Sequence, residues 1–224
     1  RVFVNTAGIG LVLGFGMFAA IAFMPTFLQM ASGTSAAESG LLMIPMMAGL
    51  MGTSMVSGIL VSRTGKYKMY PIIGILLAII ALLAMTALAA DTPIWLICTY
   101  LTVFGAGLGF VMQIIILVAQ NAVPADSVGT ATSTNNYFRE VGASLGVAVF
   151  GAMFTTRLAE RLTEVFTGAG ASAEEAANAT STLDPQILNE LPEQVREGLI
   201  TAYAESLAPV FWYIIPFMVL ALIL

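Results

Sequence analysis

The chain has 224 residues, 58% of them hydrophobic and 9% charged, with a mean hydropathy of +0.93. Soluble domains carry charge on about a quarter of their residues, so this composition excludes an ordinary water-soluble fold and places the chain in a lipid bilayer. Zero histidines and one cysteine, Cys98, remove the usual base of hydrolytic triads, the commonest metal ligand and any internal disulfide, and the formal charge of −5 gives no footing for nucleic acid.

A bilayer-crossing helix needs about 20 mainly apolar residues. Six stretches approach or meet that length, at about 4–28, 39–61, 70–88, 94–119, 129–154 and 207–224. The expected fold class is therefore an all-α membrane protein with six transmembrane helices in one bundle. Because the chain starts at Arg1 without Met and stops at Leu224 inside an apolar run, it reads as a piece of a longer polypeptide. Arg63, Lys66 and Lys68 fall between the second and third spans, while the connections around Gly33 and Asp91 hold neither lysine nor arginine. The positive-inside rule then puts the second-to-third loop in the cytoplasm, together with Arg1 and the 121–128 turn. The segment at about 157–206 is expected outside as a loop, with nine acids against Arg157, Arg161 and Arg196. Within it, residues 168–182 read as a small, polar tip and Asp184-Pro185 as a helix start. Val195, Leu199 and Tyr203 recur at i+4 and predict a short helix lying on the outer membrane surface before the last span.

The spans differ in content. Gly10/Gly14, Gly105/Gly109 and Gly142/Gly146 are small-xxx-small pairs that let backbones approach closely. Asn5, Thr6, Pro25, Gln29, Pro45, Thr53, Ser54, Gln113, Asn135 and Asn136 place polar or kinking groups at depth, where they must face protein or water. Four inner helices and two outer ones, the third and sixth, follow from this division. Phe15, Met17, Phe18 and Phe23 read either as an adaptable apolar cavity lining or as ordinary helix packing.

Two catalytic spellings fail on context. Gly142-Ala143-Ser144-Leu145-Gly146 imitates a nucleophile elbow and Gly105-Ala106-Gly107-Leu108-Gly109 a dinucleotide loop, but neither follows a strand and the first has no histidine. The Asn178-Ala179-Thr180 sequon is short enough to occur by chance. No enzyme activity, cofactor or metal site is expected.

Gly129 starts a helix on the cytoplasmic side, so Arg139 lies about 15 Å deeper at about 1.5 Å per residue. Asn135 and Arg139 share a face at i, i+4, as do Asn136 and Glu140. Two readings stand: an arginine reaching back to headgroups with Glu140 as a rim charge, or a polar patch lining a path through the membrane. Neighbours at i, i+1 diverge by about 100°, so Arg139 and Glu140 need not pair.

Gly58-Ile59-Leu60-Val61-Ser62-Arg63-Thr64-Gly65-Lys66-Tyr67-Lys68 is a helix end, a tight glycine turn and a cationic cluster. It reads either as a conformational latch or as simple positive-inside anchoring. Its spelling resembles the cytoplasmic loop motif of the major facilitator superfamily, G-x-L-x-D-R-x-G-R/K, with Gly58, Leu60, Arg63, Gly65 and Lys66 in place and Ser62 where aspartate is usual. Two further stretches resemble blocks in the C-terminal half of the fourteen-helix drug:proton antiporters. The first is Pro25-x-Phe27-Leu28-Gln29 with Gly33, Ser35, Gly40 and Pro45. The second joins Gly105-x-Gly107-x-Gly109, Asn121-x-Val123-Pro124, Gly129, and Asn135-x-x-x-Arg139-x-x-Gly142-x-Ser144-x-Gly146-x-Ala148. The resemblance covers about residues 1–155.

That resemblance implies the C-terminal bundle of a multi-pass transporter of the bacterial plasma membrane, exporting hydrophobic, often cationic, drugs in exchange for protons by alternating access. Its implied partners are the bilayer, the N-terminal transmembrane half of the same polypeptide and small hydrophobic substrates. Its energy source is the proton gradient, with the principal coupling acids in the N-terminal half. The remaining alternatives are a dedicated exporter of a metabolite or lipid, and a membrane scaffold or receptor that transports nothing. Candidate path residues are Asn135, Asn136, Arg139, Glu140, Gln29, Gln113, Phe15, Met17 and Phe18, with Gly58, Ser62, Arg63, Gly65, Lys66 and Lys68 as the latch loop.

Overall fold

In the computed structural model, residues 2–32, 34–89, 92–168 and 193–224 are described, and the described residues are helical with short connections. The helices are α1 (Val2–Ser32), α2 (Ala36–Leu42), α3 (Ile44–Thr64), α4 (Met69–Met85), α5 (Ile94–Asn121), α6 (Val128–Gly168) and α7 (Glu193–Ile223). Five of the continuous helical stretches are long and apolar enough to cross a membrane, with α2 and α3 counting as one, and α4 is a shorter apolar helix of 17 residues. The 168–182 tip, the Asp184-Pro185 helix start and the Asn178 sequon lie outside the described residues.

Local chemistry sets the breaks. Ser35 and Glu38 close a capping box at the start of α2, Glu38 Oε2 accepting from the Ser35 backbone N–H at 2.9 Å. The second span, expected as one helix, is two: Pro45 in the first turn of α3 has no N–H to continue the ladder, and Met43 turns between α2 and α3. Gly65 ends α3 in the left-handed region at φ 68°, its N–H donating to Val61 O at 2.8 Å.

Glycine seams then organise the bundle. α1 and α6 run parallel: a Cβ on Gly142 would collide with the Leu11 carbonyl, one on Gly146 with that of Phe15, and one on Gly14 with that of Arg139. α3 and α5 repeat the arrangement, with Gly105 against the Met46 carbonyl and Gly109 against that of Leu50. α4 crosses α5 antiparallel through Gly74 and Gly107, where an added Cβ would stand 2.5 Å and 2.6 Å from the opposite carbonyl oxygens. In hydrocarbon, where lipid is as apolar as a helix, such close backbone approach supplies the van der Waals gain that drives association. Between the seams, Met17, Met24, Phe27, Leu82, Leu101, Phe104, Phe211 and Met218 fill one continuous core. The outer surface is apolar too, with Met51, Met55, Ile80 and Trp212 more than half exposed. Asn5, expected among the groups facing protein, is exposed near the start of α1.

Within the described residues both ends of the expected outer loop are helical, and the membrane-lying helix is replaced by the start of α7 packed against the end of α6. α6 continues to Gly168, and the residues after 192 are the first turns of α7, unbroken into the last span. The physical reason is a better partner than headgroups. Leu162 on α6 buries against Leu199 and Ala202 on α7, with Leu158, Val165 and Phe166 packed around them. Arg161 pairs with Glu164 on its own helix at 3.3 Å and ties α6 to α7 through Glu205 at 3.6 Å.

Candidate binding site at the α1–α5–α6 junction

A single 3-10 turn, Ala125–Ser127, follows Pro124 and launches α6. Asn135 and Arg139 lie one turn apart on the side of α6 that meets α1 and α5. Asn135 is 3% exposed, and its Oδ1 sits where Gly10 leaves room, 3.1 Å from the position of a Cβ there. Arg139 is turned two ways. Its Nη2 donates to Glu140 Oε1 at 2.9 Å, so the adjacent charges do pair, Glu140 being the more exposed partner. Its Nε faces inward.

Arg139 Nε and Asn135 Nδ2 are both buried and have no hydrogen-bond partner among the described residues. Leaving a buried donor unpaired costs about 1–3 kcal/mol, and the penalty is larger for a charged group. Both atoms belong to residues lining a cavity of about 20 Å³, walled by Gly10, Leu13 and Met17 of α1 and by Leu108, Val111, Met112, Ile115 and Ile116 of α5. The side chains of the α1 and α5 walls are apolar, and neither helix carries a charged residue. Two N–H donors, one of them cationic, are therefore held in low-dielectric surroundings beside this pocket, where any acceptor they meet is held strongly.

The other expected path residues do not converge here. Asn136 is half-buried on the neighbouring face of α6. Gln113 turns to α3, where its Oε1 accepts from Ser54 Oγ at 3.3 Å. Gln29 Nε2 donates to the Pro25 carbonyl at 3.3 Å, and its position 19 residues along α1 from Gly10 is about 28 Å away at the helical rise. Phe15 meets Phe150 edge-on and Phe217 at a tilt, with ring centroids 5.2 Å and 4.5 Å away, and Phe23 packs on Phe154, so both aromatics fill helix contacts. Phe18 packs against the core, and Met17 alone of this group reaches the cavity. In the loop, Ser62 Oγ donates to the Ile59 carbonyl at 2.8 Å, and Gly58 stands beside Gln113. Arg63, Lys66 and Lys68 are exposed and, among the described residues, reach no carboxylate. Any acid that latches them lies elsewhere. The α5 wall was absent from the sequence-based list; its i+3/i+4 run 108, 111, 112, 115, 116 on the Gly105/Gly109 helix is the signal that points to it.

Known proteins give the frame for this geometry. The profile of the Major Facilitator Superfamily matches residues 1–147. An uncharacterized MFS-type transporter of Mycobacterium tuberculosis is 40% identical over 94% of this chain, and the match covers 30% of that protein. The multidrug transporter protein MdtP of Bacillus subtilis is 36% identical over 70% of this chain and 29% of its own length. A tetracycline resistance determinant of Streptomyces rimosus is 34% identical over 68% of this chain and 44% of its own length. The chain thus spans less than half the length of each of these relatives. Among solved structures, a bacterial homolog of the human lysosomal transporter Spinster, in an inward-facing and occupied conformation, superposes with a TM-score of 0.75. That match has 20% identity and covers 99% of this chain and 47% of the other. A profile match over most of the chain, close relatives among membrane transporters and a shared six-helix half-bundle lead to one conclusion: the chain belongs to the Major Facilitator Superfamily.

Proposed function

We propose that this bundle is the C-terminal half of a proton-coupled multidrug efflux transporter in the bacterial plasma membrane, a transporter and not an enzyme. It exports hydrophobic or cationic compounds by alternating access, with an N-terminal bundle of the same polypeptide supplying the facing wall and the main coupling acids. The relatives named as multidrug transporters support the substrate class. The observation that carries the role of this half is the α6 pair: an arginine and an asparagine held within the bundle with unsatisfied donors, a cost that membrane helices retain at functional sites.

The test uses the full-length parent in cells with a proton-dependent dye efflux assay. Arg139→Ala should abolish efflux while membrane abundance stays near normal, and Arg139→Lys should recover only part, because an ammonium cannot present the same fork of donors. A headgroup anchor would be restored fully by lysine. Residues 1–224 expressed alone should insert without giving efflux. Wild-type efflux in both Arg139→Ala and Glu140→Gln would defeat the reading.

A further inference from the structure

Among the described residues, α4 is the apolar helix that falls short of a bilayer. Its 17 residues reach about 25 Å at the helical rise, against a hydrocarbon thickness of about 30 Å. Gly74 and Gly107 fix the level at which α4 and α5 cross. From there α5 runs on for 14 residues to Asn121, about 21 Å, while α4 goes back only five to Met69, about 8 Å. α5 therefore overhangs the start of α4 by about 13 Å, at the end of the bundle that carries Arg63, Lys66 and Lys68. Beneath the overhang is a cavity of about 300 Å³, within the range of about 300–1,000 Å³ found for ligand pockets.

Its walls include Ile9 of α1, Ile72 and Ile75 of α4, Ile114 and Val118 of α5, and Leu222 of α7. Thr6 also lines it, but donates its hydroxyl to the Phe3 carbonyl at 2.8 Å. Ile72 is 46% exposed and continues along α4 into Leu76, Ile80 and Leu83, all exposed, so the cavity opens on a face made for acyl chains. Tyr67 and Lys68 complete the lining and are themselves exposed. An apolar recess with an ammonium and a phenol at its mouth suits an amphiphile with an anionic head, its chain on the aliphatic walls and its phosphate on the cation. The neighbouring charges sharpen that choice. Arg63 and Lys66 share the loop, and among the described residues none of the three cations reaches a carboxylate. Asp126, the acid in the turn before α6, accepts from the Ser127 hydroxyl instead. A zwitterionic lipid would bring its own cation into this cluster, whereas an anionic one does not. We propose that the recess binds an anionic phospholipid of the cytoplasmic leaflet, one acyl chain lying among Ile9, Ile75, Ile114 and Val118 and the phosphate on Lys68. Because its walls come from α1, α4, α5 and α7, the bound lipid ties four helices together and stabilises the bundle.

The test titrates the full-length parent, purified in neutral detergent, with dioleoyl phosphatidylglycerol or dioleoyl phosphatidylcholine while its thermal midpoint is followed. Phosphatidylglycerol should raise the midpoint saturably, and phosphatidylcholine should not. Lys68→Gln should weaken the phosphatidylglycerol response about fivefold, the share of one cation beside anionic lipid, and Lys66→Gln, which leaves the lining intact, by less than about twofold. Val118→Phe fills the recess and should remove the saturable response with every loop charge in place. A phosphatidylglycerol carrying a diazirine on its acyl chain should crosslink to residues 67–75 and 114–118, a readout that stands even if Val118→Phe does not fold. Equal losses in Lys66→Gln and Lys68→Gln would reduce the effect to general attraction by the loop and overturn the site. Equal responses to the two lipids, an unchanged response in a folded Val118→Phe, or crosslinks spread evenly over the apolar surface would overturn it as well.

Discussion

Adding one methyl group at Gly146 tests the seam between α1 and α6. The new Cβ would point into the Phe15 carbonyl at a separation no relaxed structure tolerates, and the obstacle is backbone, so no rotamer change relieves it. The helices must part by an ångström or more, which strips contacts on both sides and costs about 1–3 kcal/mol. The same substitution at Gly129, on the same helix, meets nothing within 4 Å. There alanine gains about 0.5–1 kcal/mol of helix propensity, so the two variants should move in opposite directions. Gly142→Ala meets the Leu11 carbonyl one turn earlier and should behave like Gly146→Ala. The double variant should cost less than the two singles together, because the first methyl already separates the helix pair for the second. Unfolding of the purified full-length parent, followed by loss of monodisperse material on heating, reads all four. Equal midpoints for Gly146→Ala and Gly129→Ala would refute the seam, and strict additivity of Gly142→Ala and Gly146→Ala would refute the shared separation.

The orientation read from Arg63, Lys66 and Lys68 is checked with cysteines placed singly at Thr64 and Thr167 in a Cys98→Ala background: on intact cells an impermeant maleimide should label position 167 and spare position 64. The α6–α7 contact makes a contrast between apolar and ionic ties. Leu162→Ala removes a side chain that is 4% exposed and should cost about 2–3 kcal/mol locally, seen as faster proteolysis between α6 and α7. Arg161→Ala breaks two half-exposed ion pairs and should change proteolysis little, by about 0–1 kcal/mol. Equal sensitivity in these two variants would show that charge, not burial, holds this contact.

Hydropathy and glycine spacing made the bundle legible because both follow from the solvent: apolar length from bilayer thickness, and small-xxx-small pairs from the lack of any other drive to associate. Gly105/Gly109 and Gly142/Gly146 fall on the seams for that reason. The α6–α7 contact was not legible as such because α6 ceases to be apolar near Arg157, and the end of hydrophobicity was read as the end of the helix. Leu158, Leu162, Val165 and Phe166 carry the signal, an i+3/i+4 stripe that continues past the charged residues. At the candidate site, the i, i+4 spacing placed Asn135 and Arg139 on one side of α6. The pairing of Arg139 with Glu140 escaped the same argument because Cα directions 100° apart say little about where two long, flexible side chains end. That Gln29, Gln113 and Phe15 turn elsewhere is set by tertiary neighbours, Pro25, Ser54 and Phe217, which no local pattern encodes.

α6 has a mechanical property that follows from its 41 unbroken residues. At about 1.5 Å per residue the helix is about 61 Å long, twice the hydrocarbon thickness of about 30 Å, so its last third, beyond the apolar span, stands clear as an outrigger. Gly168 lies 29 residues beyond Arg139, so a tilt of about 10° about that level would sweep the tip sideways by about 8 Å at the helical rise. The Arg161–Glu205 tie and the Leu162–Leu199 contact carry α7 along with it. A rocking step too small to follow beside Arg139 is thereby geared up into a displacement that spin labels at Thr167 and on the facing bundle can measure.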